Sequence, residues 1–169
     1  MPTDSTHNCF SVDPGVRALF PEMRLVVAIA RGLDNARTSP GTDEAWVEAW
    51  SRAGALEVAN AQSHPRVRTW REDFKAFGVS MKRFPISIEA MLRRALKGGE
   101  PFRINPLVDL YNTLSLRHVC PAGAFDLDAL EADLQLRFTT EADRFTALDA
   151  GEPIQVDAGE VAYASGNIV

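Results

Sequence analysis

The chain has few cysteines and no long apolar run. Cys9 and Cys120 are its two cysteines among 169 residues, and two thiols so far apart cannot form a disulfide framework or a four-ligand zinc site. We interpret them as buried or incidental thiols. No apolar run approaches the roughly 18 residues that span a bilayer, and the N-terminus lacks the basic-then-apolar order of a signal peptide. These absences predict a soluble, cytoplasmic protein that does not bind membranes.

The chain also lacks the sequence motifs of several enzyme classes. It contains no Gly-x-Ser-x-Gly elbow, no His-Glu-x-x-His helix and no phosphate-binding glycine loop. His118 and Cys120 are two residues apart and would not face each other on a helix, so we interpret His118 as a helix-end residue. No nucleophile or metal ligand set can be assigned, and we predict no cofactor.

Length and composition favour one domain. With 46% hydrophobic residues and no internal repeat, 169 residues can bury one core. We therefore predict a single domain over residues 1–169, with a partly mobile N-terminus over residues 1–20.

Charge is distributed unevenly along the chain. The net charge is −5, yet residues 64–103 hold ten of the 18 Lys and Arg and only four acids, so that segment is +6 and the remainder −11. A locally basic face on an acidic protein can neutralise phosphates while the rest repels non-specific polyanions. Alternatively, these charges are ordinary solvated helix faces.

The first half of the chain predicts one strand and two helices. The β-branched run from Leu25 to Ala30 favours a buried strand. Thr42 can cap a helix running to about Asn60, whose two tryptophans we expect to pack rather than stack on bases. His64-Pro65 starts a basic amphipathic helix that ends at Gly78. Its aromatic residues could stack on nucleic-acid bases, but at helical spacing they more often face the core.

A further helix is expected after Pro85, with Ser87 as its cap and Gly98-Gly99 as its end. Its apolar residues form one stripe and are expected to be buried: Ile88, Met91, Leu92, Ala95 and Leu96. Its charged residues are expected on other faces: Glu89, Arg93, Arg94 and Lys97.

Asn105-Pro106 is a strong helix start, because asparagine caps well and proline suits the first helical position. The helix should run to about His118. At helical spacing Asn105, Asp109 and Asn112 share one stripe. Convergent amide and carboxylate groups can orient a water, hold a ribose hydroxyl or receive an amino group. Alternatively, Asn105 only caps, and the other two face solvent.

The last third of the chain has the pattern of β-structure. Leu134 to Phe138 alternates as a half-buried strand, and residues 149–169 alternate short apolar pairs with Gly and Pro. Helices before strands predict an α+β fold.

Three segments carry a resemblance to a known family: Ser87 to Arg94, Ile104 to Asp109 with Asn112, and Phe125 to Asp128. They are similar to the B3/B4 domain of the phenylalanyl-tRNA synthetase beta subunit, and more closely to the stand-alone proteins that carry this domain. The resemblance runs from about residue 70 to 152. It implies a B3/B4-like editing fold with helices packed on a mixed β-sheet.

The resemblance also implies an activity, which is trans-acting hydrolysis of mischarged aminoacyl-tRNA by water, with tRNA as partner and no role for DNA. It assigns Asn105, Asp109 and Asn112 to the catalytic pocket. It assigns the substrate contacts to five residues: Lys82, Arg83, Arg93, Arg94 and Gly123. Gly123 stands where the synthetase-embedded domain has a pocket histidine, so water positioning by that imidazole is absent.

Family members usually continue past the region that corresponds to residues 159–161. We therefore expect shortened C-terminal strands, and a homo-oligomer could complete the sheet. The alternative function is a non-catalytic tRNA- or amino-acid-binding module, as in a truncated family member, and a folding-impaired remnant is a third reading.

Overall fold

A computed structural model describes residues 10–37, 39–82, 84–147 and 151–169. In chain order the elements of this part are β1 (Phe10–Val12), α1 (Pro14–Leu19), α2 (Pro40–Gly54), α3 (Pro65–Ala76), α4 (Ser87–Leu96), α5 (Pro106–His118), β2 (Leu134–Phe138), β3 (Arg144–Phe145), β4 (Ile154–Gln155) and β5 (Val161–Ser165). None of these helices combines the length and apolar character that crossing a bilayer requires.

The chain divides into two compact units. The sheet unit takes its described residues from Met1–Arg31 and Phe125–Val169, and the helical unit is Gly32–Ala124. The single domain over residues 1–169 stays a prediction. Within the first twenty residues, β1 and α1 are elements that are not predicted from the sequence.

The sheet unit contains a mixed three-stranded sheet in the order β1-β2-β5. β1 runs parallel to β2, and β5 runs antiparallel to it, with Leu136 opposite Tyr163. β3 and β4 form a separate antiparallel pair. The predicted strand from Leu134 to Phe138 is confirmed by β2, and short strands follow it as expected. The α+β class with a mixed sheet is therefore confirmed.

A buried ion pair fixes the end of β2. Arg137 donates from Nη1 to Asp143 Oδ2 (2.7 Å) and from Nη2 to Oδ1 (2.8 Å), and the backbone N–H of Thr140 donates to the same carboxylate (2.6 Å). Asp143 is fully buried. The hydrogen-bonded Arg137 holds the pKa of Asp143 well below its usual range, so the carboxylate stays ionised and satisfied.

The helical unit has a core between α2, α4 and α5. Its buried residues are Trp46, Ala49, Trp50, Ala53, Ala61, Val67, Ile88, Met91, Leu92, Ala95, Leu116 and Val119. Trp46 and Trp50 meet Phe102 edge to face, at centroid distances of 5.8 and 5.7 Å. Both tryptophans therefore pack, as predicted, and the buried stripe of α4 is confirmed except that Leu96 is only partly buried.

Three predicted helix limits are wrong. α2 begins at Pro40 with Ser39 as its cap, because the Ser39 hydroxyl accepts the N–H of Thr42 (3.3 Å), and it ends at Gly54. A Cβ at Gly54 would lie 3.1 Å from the carbonyl oxygen of Ala95, so glycine allows close packing there, and glycine is a poor helix former. In α4 the capping position is Ile86, without a side-chain hydrogen bond.

The predicted buried strand from Leu25 to Ala30 is also wrong. None of the described strands pairs with this run, and it forms no strand of its own. Its side chains are exposed, Val26 to 97%. A strand needs a neighbouring strand to pair its N–H and C=O groups, and an apolar run alone does not show that one is present.

Candidate functional site

The N-terminus of α5 is built by an asparagine cap. Asn105 has extended dihedral angles, its Oδ1 accepts the N–H of Val108 (3.0 Å), and Pro106 occupies the first turn. The N–H of Leu107 donates to the side chain of Asn35 (2.9 Å). The predicted helix start is therefore confirmed, and two of the free N–H groups of the first turn are paired with side chains.

Asp109 lies one turn into α5 and is 2% exposed. Its Oδ1 accepts the backbone N–H of Ile104 (3.2 Å), and its Oδ2 accepts Nη1 of Arg103 (3.3 Å). The same Nη1 lies 2.9 Å from Oδ1 of Asp43 on α2. One guanidinium thus bridges two carboxylates, one buried and one half-exposed, at the N-terminal end of α5.

These residues line a cavity of about 360 Å³, which we call the α5 pocket. Its walls are Ala36, Asp43, Arg103, Ile104, Asn105, Pro106 and Asp109. The structure therefore brings together two residues of the predicted stripe, Asn105 and Asp109. Asp43 and Arg103 join them, and neither is predicted from the sequence to lie in this pocket.

Asn112, the third residue of the predicted stripe, does not line the α5 pocket. It is 7% exposed, and its side chain forms no hydrogen bond to another residue in the part of the chain that the structure describes. The alternative reading, in which Asp109 and Asn112 face solvent, is wrong because both are buried. The other half of that reading, a capping role for Asn105, is confirmed.

The segment before α5 is anchored to α2. The indole N–H of Trp46 donates to the carbonyl of Phe102 (3.0 Å), and that of Trp50 to the carbonyl of Gly99 (2.7 Å). The guanidinium of Arg94 lies over the rings of Phe102 and Trp50, at 5.1 and 6.0 Å from their centroids. These contacts fix the backbone that carries Arg103 and Ile104 into the pocket.

A second cavity, of about 640 Å³, borders α3 and the turn after it; we call it the basic pocket. Its walls are Gln62, Arg68, Arg71, Glu72, Lys75, Gly78, Val79, Ser80, Met81 and Lys82. Four of these side chains are cationic and one is acidic. The basic segment of the sequence thus contributes to a concave surface as well as to helix faces.

Glu89 lies behind the basic pocket and is fully buried. Its carboxylate accepts Nη1 of Arg71 at 2.9 and 3.1 Å and Nη2 of Arg93 at 2.7 Å. Burial alone would raise the pKa of Glu89, but the hydrogen bonds from both arginines lower it below its usual value. The expectation that Glu89 lies away from the buried face is wrong, because two guanidinium groups compensate its buried charge.

A match to a known protein family identifies the family of this chain. The family model described as the B3/4 domain matches residues 69–169, more than half of the chain. The chain belongs to the B3/4 domain family. Searches of the curated proteins and of the solved structures gave no match.

Within this B3/4 domain protein, the remaining predicted contacts lie at separate places. Lys82 lines the basic pocket, whereas Arg93 pairs with Glu89 behind it and Arg94 stacks on aromatic rings. Gly123 is exposed, and a Cβ there would meet nothing within 4 Å, so packing does not require glycine. Arg83 lies outside the described residues.

Metal ligation has no candidate in the described part of this B3/4 domain protein, where no three His, Cys, Asp or Glu side chains cluster suitably. The chemistry available in the α5 pocket is that of carboxylates, an amide and one guanidinium. Such groups bind and orient a polar ligand.

Proposed function

We propose that this protein is a cytoplasmic aminoacyl-tRNA deacylase that acts in trans, and that the α5 pocket receives the aminoacyl ester. Membership of the B3/4 domain family supports the reaction class. The observation that carries the proposal is the guanidinium of Arg103 held between the carboxylates of Asp43 and Asp109. This arrangement offers both charge signs to a ligand that contains both an ammonium group and a polarised carbonyl.

The pocket volume fits a small ligand. About 360 Å³ lies within the range of roughly 300 to 1,000 Å³ that small-molecule sites occupy. An amino acid esterified to one ribose is of this size class, whereas a folded RNA is not. The pocket would therefore hold only the acylated end of the tRNA.

The groups in the pocket have separate roles in this proposal. Asp43, whose side chain is 42% exposed, retains lone pairs that can receive the substrate ammonium. The carboxylate of Asp109 accepts hydrogen bonds from Ile104 and Arg103, and in this way it holds the wall of the pocket in place. Arg103 can stabilise the negative charge that develops on the carbonyl oxygen as water attacks.

The reaction consumes one water. Water adds to the ester carbonyl carbon, the bond from that carbon to the ribose oxygen breaks, and the ribose oxygen takes a proton to become a hydroxyl. The amino acid leaves with a free carboxylate, and the second proton of the water passes to the solvent. Catalysis in this proposal rests on positioning by Asn105 and Asp109, which line the pocket, and on the charge of Arg103.

The second candidate function is a non-catalytic tRNA- or amino-acid-binding module. Gly123 favours it, because no imidazole occupies that position, and the described lining of the α5 pocket contains no histidine either. A binding module would use the same carboxylates to hold an amino group without activating water.

The deciding experiment incubates the purified protein with a panel of mischarged tRNAs and measures release of the amino acid. We expect release above the rate of spontaneous ester hydrolysis for at least one pair, and loss of that release in Arg103→Gln. The matched control is Arg52→Gln, which removes the same charge from an exposed position on α2. Binding of the charged tRNA without release of any amino acid would favour the binding module.

A further inference from the structure

The basic pocket is separate from the α5 pocket in its lining residues. We propose that the basic pocket binds the phosphodiester backbone of RNA, and that buried Glu89 is a positioning residue that fixes Arg71 in it. The inference rests on the proposed function only for naming that RNA as tRNA.

Most cations of this pocket form no ion pair with an acid in the described part of the chain. Among the described residues, Arg71 is the pocket cation that pairs with an acid, namely Glu89. Arg68 donates to the backbone carbonyl of Ser63 (3.1 Å), a neutral partner. Lys75 and Lys82 form no ion pair with any described acid. A surface with several uncompensated cations suits a ligand with several phosphates, because each phosphate neutralised releases counterions.

The turn after α3 gives the pocket its concave form. The N–H of Val79 donates to the carbonyl of Phe74 (2.8 Å), and that of Gly78 to the carbonyl of Lys75 (3.0 Å). Gly78 has φ +72°, and together these features form a Schellman motif. The chain therefore turns back after α3, and Lys82 lines the same cavity as Lys75 and Arg71.

Glu89 restricts Arg71 without blocking it. Both hydrogen bonds to the carboxylate come from Nη1 of Arg71, so Nε and Nη2 have no partner among the described residues. An arginine with one nitrogen anchored and two free can donate to a phosphate with little further loss of rotamer freedom. Arg93 supplies the second positive charge that keeps Glu89 ionised.

The first test measures the affinity for uncharged tRNA against salt concentration. Arg71→Gln, Lys75→Gln and Lys82→Gln should each weaken binding, and each should reduce the slope of log K against log salt by about 0.7 to 0.9 per lost phosphate contact. Arg52→Gln removes the same charge outside the pocket and should leave the slope unchanged. Equal slopes in the pocket variants and the wild type would overturn the pocket assignment.

The second test separates positioning from net charge. Glu89→Gln makes the protein more positive by one charge, so electrostatic attraction alone predicts tighter binding of tRNA. A positioning role predicts the opposite, a loss of affinity on the order of tenfold, because Arg71 is released. Unchanged or tighter binding by a variant that melts cooperatively would overturn the role of Glu89.

Arg71→Lys keeps the inference testable if Glu89→Gln does not fold. It retains the charge but loses the guanidinium fork, and we expect a several-fold loss of affinity. Equal affinity of Arg71→Lys and wild type would overturn the positioning argument.

Two comparisons distinguish the possible failures. Binding is measured with uncharged tRNA, and amino-acid release is measured with mischarged tRNA. If binding depends on the pocket residues but no amino acid is released, the enzyme proposal is refuted and the RNA site is supported. If amino acid is released but all pocket variants bind tRNA as the wild type does, the RNA site is refuted and the enzyme proposal is supported. Saturable binding of inorganic phosphate by a protein that does not bind uncharged tRNA would indicate a small-anion site and overturn the RNA assignment.

Discussion

The carboxylate of Asp109 accepts the backbone N–H of Ile104, five residues before it, at 3.2 Å. This hydrogen bond ties the segment before α5 to the first turn of that helix. Asn105 pairs with the N–H of Val108 in the same turn, so two side chains pair backbone donors on both sides of the helix start. The α5 pocket therefore depends on Asp109 for its shape as well as for its charge.

Replacing Asp109 with alanine should destabilise the helical unit. The N–H of Ile104 would lose its acceptor and Nη1 of Arg103 would keep only Asp43, and losing a hydrogen bond to a charged group costs about 1.5 to 3 kcal/mol. Asp109→Asn keeps one oxygen for Ile104 and should cost less than Asp109→Ala. Urea unfolding followed by tryptophan fluorescence measures both, since Trp46, Trp50 and Trp70 all lie in the helical unit.

The matched control for these variants is Glu44→Gln, an exposed carboxylate next to Asp43 on α2. It should change the free energy of unfolding by less than about 0.5 kcal/mol. Equal stability of Asp109→Ala and Glu44→Gln would show that the hydrogen bond to Ile104 does not hold the segment.

Replacing Asn105 with alanine should remove the cap of α5. The expected loss is about 1 kcal/mol in the free energy of unfolding, and Asn105→Asp or Asn105→Ser should restore most of it, because both side chains can accept the N–H of Val108. Chemical denaturation of the three variants in parallel measures the difference. Alanine, aspartate and serine variants of equal stability would contradict a capping role.

The features that could be predicted from the sequence are those specified by neighbouring residues. Asn105-Pro106 determines a helix start locally, through one side-chain hydrogen bond and one fixed φ angle. The alternation from Leu134 to Phe138 likewise specifies a strand face. For the same reason the sequence indicated that Asn105 and Asp109, four residues apart on one helix, share a pocket.

The features that could not be predicted depend on partners distant in the sequence. Glu89 is buried because Arg71, 18 residues earlier, reaches its carboxylate, and no spacing rule within α4 signals that contact. Asp43 enters the α5 pocket through Arg103, which is 60 residues away in the chain. The run from Leu25 to Ala30 has the composition of a core strand, but its environment is decided by the presence of a neighbouring strand.

The stability of the sheet unit should depend on pH through Asp143. Because the pKa of Asp143 in the fold is lowered by Arg137, the ionised carboxylate stabilises the folded state above the unfolded-state pKa of about 3.9. This contribution should disappear as the pH falls below about 4 toward the lower folded-state pKa. Circular dichroism during urea unfolding, from neutral pH to about pH 3, measures this loss.

Asp143→Asn should be destabilised at neutral pH by about 3 kcal/mol, because Arg137 would be left with a neutral partner. The free energy of unfolding of this variant should depend less on pH than that of the wild type. Asp126→Asn, an exposed carboxylate of the same unit, serves as the control and should follow the wild-type pH profile. If Asp143→Asn retains the full pH dependence of the free energy of unfolding, that dependence arises from other carboxylates.

The carboxylate of Asp43 should contribute to substrate choice through the amino group. If it receives the substrate ammonium, acetylating that nitrogen removes a charge-assisted hydrogen bond of about 1.5 to 3 kcal/mol, which corresponds to a loss of roughly 10- to 150-fold in kcat/KM. Asp43→Asn should lose activity on the free ammonium substrate and show little further loss on the acetylated one. Glu44→Gln should discriminate between the free and the acetylated substrate as the wild type does. Deacylation rates for both substrates with all three proteins form a double-mutant cycle, and additive losses in that cycle would place the ammonium elsewhere.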